Sequence, residues 1–201
     1  HRIEGIGDKH VPWVHNVRNT DGVVAVDDEN CMRILRLFNE PDGHKALRAA
    51  GVSEDVIKLL PLMGISSISN MLSAIKTAKF FEMDENDVLF MPFTDAAEMY
   101  GSRLTELQQS HGAYSATQAV IDWERYLLGE SIQHVQELGY HDRKKLHNLK
   151  YYTWVEQQGK TFEEINQLWD PEFWVEAAAQ APKWDKLIED FNAQTKVLDT
   201  L

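Results

Sequence analysis

Cysteine is nearly absent from this chain of 201 residues: Cys31 stands alone. One thiol excludes an internal disulfide framework and fits a reducing compartment, so the expected location is cytoplasmic. Positive charge is also short, with 20 Lys and Arg against 32 Asp and Glu, a net charge of −12. A chain so charged repels the phosphates of nucleic acid and of anionic membranes, and neither is an expected partner. No apolar run approaches the roughly 20 residues of a membrane-spanning helix, and the first residues carry no signal-peptide core. Metal-ligand spacing is missing too. His10 and His15 flank Pro12 in a loop, His141 and His147 diverge on a helix, and no metal site is expected. There is no Gly-x-Ser-x-Gly elbow, and Cys31 falls beside Met32 in an amphipathic helix, where a buried, inert thiol is expected.

What is present is 43% hydrophobic residues, enough for a real core. Residues 1–16 read as a loop broken by Gly5, Gly7 and Pro12. Gly22-Val23-Val24-Ala25-Val26 and Val88-Leu89-Phe90-Met91 have the composition of fully buried parallel strands. Between them, Asp27-Asp28-Glu29 opens a helix carrying Met32, Ile34, Leu35, Leu37 and Phe38, and Glu40-Pro41-Asp42-Gly43 forms a turn. Shorter helices are predicted over 44–50 and 53–60, the second capped by Ser53. Strand, helices, strand is α/β grammar. Two strands cannot build a parallel sheet covered on both faces, so further strands are expected from residues outside this chain. His1 with glycines close behind it also reads as the middle of a longer polypeptide.

Gly64-Ile65-Ser66-Ser67-Ile68-Ser69-Asn70 organises the chain. It opens a helix to about Glu82 whose Ile68, Met71, Leu72, Ile75 and Ala78 share one face. Ser66 or Ser67 is the expected N-cap, leaving first-turn amides pointing outward, free to meet solvent or a ligand. After Thr94 only helices are predicted: 95–109, 115–128, 131–138, 141–158, 161–168, 171–179 and 183–198. Their openers include Thr94, Ser115, Thr161 and Pro171. Trp123, Trp154, Trp169, Trp174 and Trp184 lie here, as core or docking surface.

His1-Arg2-Ile3-Glu4-Gly5-Ile6-Gly7, followed by Val11-Pro12 and the run 22–26, resembles a segment of the fold-type II pyridoxal-phosphate enzymes, the tryptophan synthase beta and cysteine synthase-like superfamily. Cysteine synthases read HKIQGIGAGFIP there. Gly64-Ile65-Ser66-Ser67 resembles their GISSGA, and Val88 to Tyr100, with Pro92 and Asp95, resembles their last strand and proline-to-tyrosine turn. The three motifs agree in order over residues 1–104.

The resemblance implies an α/β fold over 1–104, the C-terminal part of the cofactor domain with two parallel strands, followed by an all-helical, aromatic-rich extension over 105–201; as a fragment the chain is mostly helical. It implies pyridoxal phosphate as cofactor, with Ser66 at the pyridine nitrogen and Gly5, Ile6 and Gly7 lining the cofactor face. The implied activity is elimination or replacement on a small amino acid, in a homodimer. The imine-forming lysine and the phosphate loop would come from the N-terminal part of the same enzyme. Ile68 and Ser69 depart from the family's glycine and alanine, and Asp8-Lys9-His10 from its Ala-Gly-Phe. These positions border the site mouth and leave the amino-acid substrate open. No catalytic residue is assigned. The alternative is a non-catalytic helical module for interaction or oligomerisation within a larger protein.

Overall fold

Helix α1 (Asp28–Asn39) is the centre of the molecule's main core. The Asp27 carboxylate accepts a hydrogen bond from the Glu29 amide at 2.8 Å, and Asp28 and Glu29 place negative charge in the first turn. Cys31, Met32, Ile34, Leu35, Leu37 and Phe38 are all buried, so α1 is enclosed on most of its circumference. In this computed structural model, which describes Arg2, Ile3, Ile6 and residues 10–200, α1 packs against α2 (Pro41–Ala49) and α4 (Ile65–Phe80). It also meets α5 (Gly101–His111) and α6 (Ala116–Asp122), the latter continuing as a π-helical turn over Trp123–Leu128. Leu47, Ile57 from α3 (Glu54–Leu59), Ile65, Ile68, Leu72, Leu107 and Ala119 complete this core. Each such side chain contributes about 1.5–3 kcal/mol by leaving water.

The chain is mostly helical, as expected. Its strands differ from those expected. β1 is only Gly22–Val24, and it pairs antiparallel with β2 (Val135–Glu137), Val23 standing opposite Gln136. Neither strand is buried: a two-stranded ribbon leaves its faces open, and Val23 is exposed. Val88–Met91 forms no strand, and Val88 and Phe90 are 87% and 94% exposed. No parallel pair occurs among the described residues. The helix expected over 131–138 is replaced by β2, and the turn expected at 40–43 is instead the opening of α2, with Pro41 at its first position.

The chain divides into two compact units, one of His1–Asp8 and Gly22–Glu137, the other of Lys9–Asp21 and Leu138–Leu201. Position 104, where the sequence reading changes domain, lies inside the first unit, in α5. In the second unit, α7 (Tyr140–Asn148) and α8 (Lys150–Trp154) are stitched to the loop at 10–21 by side chains reaching main-chain carbonyls. The fully buried Lys150 Nζ donates to the carbonyls of Trp13 and His15 at 2.9 and 2.8 Å, and Trp154 Nε1 donates to that of Val11 at 2.9 Å. Arg143 Nε donates to the Thr20 carbonyl at 2.8 Å. Helices α9 (Phe162–Gln167), α10 (Pro171–Ala178) and α11 (Ala181–Thr195) follow.

Two groups make this unit sensitive to pH. His147 is buried against the Trp169 ring, its Nε2 without a hydrogen-bond partner, and burial with the nearby Lys144 and Lys150 charges lowers its pKa to about 4. Burial lowers that of Lys150 to about 8. For both, the unfolded chain binds more protons between the folded and ordinary values, so stability rises with pH across those windows. Stability of the second unit is expected to fall as pH drops from 6.5 toward 4, by on the order of 3 kcal/mol for His147. Denaturant titrations followed by tryptophan fluorescence read this directly, since Trp13, Trp154, Trp169, Trp174 and Trp184 lie in that unit. A midpoint flat from pH 7 to pH 4 would contradict the burial argument.

Candidate functional site

The candidate site is the first turn of α4. Gly64, in extended conformation, is its N-cap. A Cβ there would lie 2.6 Å from Asp95 Cγ and 2.8 Å from the Tyr100 ring, so glycine lets the loop after Pro92 close over the helix end. The expected serine cap is therefore corrected: Asp95 caps this helix from across the loop. Its Oδ2 accepts from the Ser66 amide at 3.0 Å, and its Oδ1 from the Ser67 amide at 3.0 Å and the Ser67 hydroxyl at 2.7 Å. Tyr100 Oη donates to Oδ2 at 2.7 Å. Burial pushes the Asp95 carboxyl pKa up, but hydrogen bonds from Ser67, Tyr100 and the two amides outweigh that and hold it below the ordinary value. A carboxylate at the positive end of the helix dipole is what these orphan amides attract.

The two serines are thereby distinguished. Ser67, fully buried, commits its hydroxyl to Asp95 and also accepts from the Thr94 amide at 3.1 Å. Ser66, 6% exposed, meets Asp95 through its amide. Asn70 Nδ2 donates to the Pro92 carbonyl at 3.0 Å, which fastens the loop one turn further along. A groove of about 270 Å³ runs on between α4 and the run Leu89–Pro92, lined by Asn70, Ser73, Ala74 and Thr77.

Of the other sequence-assigned site residues, Ile6 is a partly exposed loop residue, while Gly5 and Gly7 lie outside the described residues. Cys31 is buried, and burial raises its thiol to about 12, the inert thiol expected. His10 and His15 are hydrogen-bonded to Thr153 and Thr20 at 2.7 Å each. Among the described residues no cluster of His, Cys, Asp and Glu could hold a metal, and no helix is long and apolar enough to cross a membrane. The capping role of Asp95 was missed from sequence, because it reaches the Ser66 amide from 29 residues further along the chain. No protein-family model matches the chain, and no curated protein or solved structure matches it.

Proposed function

We propose that this chain is the C-terminal part of a pyridoxal-phosphate enzyme of fold-type II, catalysing elimination or replacement on a small amino acid, and that Ser66 meets the pyridine nitrogen. One junction carries the reading. The strand-like run Val88–Phe93 turns its apolar residues to solvent and leads directly into Asp95, the residue that holds the first turn around Ser66. An apolar, β-branched and aromatic run left exposed is the edge that additional parallel strands would cover. The residues fit the pyridine edge of the cofactor. Asp95 is consumed by helix amides, Ser67 and Tyr100, and the residue that the resemblance sets at the nitrogen is a serine, not a carboxylate. A hydroxyl donates a hydrogen bond to a pyridine nitrogen without protonating it, which tempers the electron-withdrawing power the cofactor supplies when bound. The lysine and the phosphate cradle are assigned to an N-terminal segment of the same polypeptide, and the assembled enzyme to a cytoplasmic homodimer.

A second reading, a helical interaction module without chemistry, is favoured by α11, whose Trp184, Leu187, Ile188 and Phe191 form one exposed stripe at helical spacing. One experiment separates the two: the gene expressed with its upstream codons, and the 201-residue chain alone, are each titrated with pyridoxal phosphate. The enzyme reading expects a saturable visible-range band of lysine-bound cofactor in the longer polypeptide and none above free lysine in the shorter. Absence of that band from both sinks it and leaves the module.

A further inference from the structure

The first unit holds a second cleft, of about 210 Å³, between α1, the C-terminal turn of α5 and α6. Its polar lining includes Arg33, Arg36 and Glu29 from α1 with Gln118 and Asp122 from α6, and its apolar lining includes Met32, Leu107 and Ala113. Arg36 is only 6% exposed, yet makes a single hydrogen bond among the described residues, from Nη2 to the Gly112 carbonyl at 2.9 Å. Its guanidinium lies over the Tyr114 ring, and its Nε is buried without a hydrogen-bond partner, 3.6 Å from Glu40 Oε1. A guanidinium has five donors, and Arg36 commits one to Gly112 and turns its Nε toward Glu40, so its remaining donors can meet an acceptor in the cleft.

We propose that this cleft binds a small organic carboxylate with a short aliphatic tail, its oxygens on the Arg36 guanidinium and its tail against Met32, Leu107 and Ala113. A planar carboxylate matches the guanidinium fork. The volume admits a handful of heavy atoms and excludes a nucleotide. A phosphate dianion would need a second uncommitted cation, and Arg33 is already bonded to Glu29 at 3.0 Å and lies 3.7 Å from Asp122. The Asp122 oxygens are taken by Tyr114 Oη at 2.8 Å and Gln118 Nε2 at 2.7 Å, so an ammonium finds no open carboxylate on that side. Burial also raises the Asp122 carboxyl above its ordinary pKa. This assignment does not depend on the cofactor reading.

Calorimetric titration of the whole chain with propionate, inorganic phosphate and propylammonium tests it. Propionate is expected to bind saturably at one site, more tightly than either other probe. Arg36→Lys, which loses the fork, is expected to weaken it about 10-fold or more. Ala113→Trp, at an exposed loop position on the cleft wall, should abolish binding, so it serves if Arg36→Lys does not fold. Arg48→Lys, outside the cleft, should leave affinity unchanged. No saturable propionate binding, binding that survives Ala113→Trp, or a preference for phosphate or propylammonium overturns the proposal.

Discussion

Gly43→Ala is expected to destabilise the first unit by about 4 kcal/mol or more, the largest effect of a Gly→Ala change among the described residues. The added Cβ would stand 2.0 Å from the Leu37 carbonyl oxygen and 2.7 Å from its carbon, contacts no rotamer change can relieve because both partners are backbone. Helix α2 begins at Pro41 with almost no connecting loop after α1, and this close approach is what lets Leu47 enter the core beside Leu35 and Leu37. Separating the helices to admit the methyl would open that core along its length. Gly101→Ala is the control: it opens α5, meets nothing within 4 Å, and should be neutral or stabilising by up to about 1 kcal/mol. Urea midpoints of the two variants, followed by far-ultraviolet circular dichroism, measure the contrast. Equal midpoints would show that α2 is not held against α1 as described.

Asp95→Ala is expected to cost about 3 kcal/mol, because it strands the Ser66 and Ser67 amides at the helix end and takes the carboxylate acceptor from the Ser67 hydroxyl and Tyr100 Oη. Asp95→Asn keeps the shape and one acceptor oxygen and should cost roughly half as much. The wild-type contribution also has a defined pH window. The folded pKa lies below the ordinary value, so the stabilisation is present above that value and is lost as pH falls through the folded one. Thermal unfolding of the three proteins at neutral and acidic pH tests both points. An acid-insensitive difference between wild type and Asp95→Asn would contradict the charge argument.

Helix starts were legible in the sequence because their signal is local. Asp27, Ser53, Ser115 and Thr161 each accept a hydrogen bond from an amide of the first turn, as their positions suggest. The strands were not legible, because pairing is decided by residues far apart. Ile132, Val135 and Leu138 recur every three residues, a helical spacing, yet His134 takes a left-handed conformation, φ 61°, and the next three residues extend to pair with β1. At the site, the serines and Asp95 could be read as neighbours of a motif. That Ser67 and Asp95 hold each other, so that only Ser66 differs in role, needed the 28-residue contact between them. The Arg36 cleft left no sequence signal, since an arginine within an apolar helix face reads as a solvated head on a buried stem.

The proposed contact between Ser66 and the cofactor's pyridine nitrogen has one direct test. The measurement is the absorbance spectrum of bound cofactor in Ser66→Asp of the complete polypeptide, recorded with amino-acid substrate. The bond from the Ser66 main-chain amide to Asp95 does not depend on the Ser66 side chain, and circular dichroism checks that the variant folds. A carboxylate at the nitrogen would hold it protonated and strengthen the electron sink, so long-wavelength absorbance should grow while turnover falls. A spectrum and turnover indistinguishable from wild type, in a variant that folds, would contradict the assignment of Ser66.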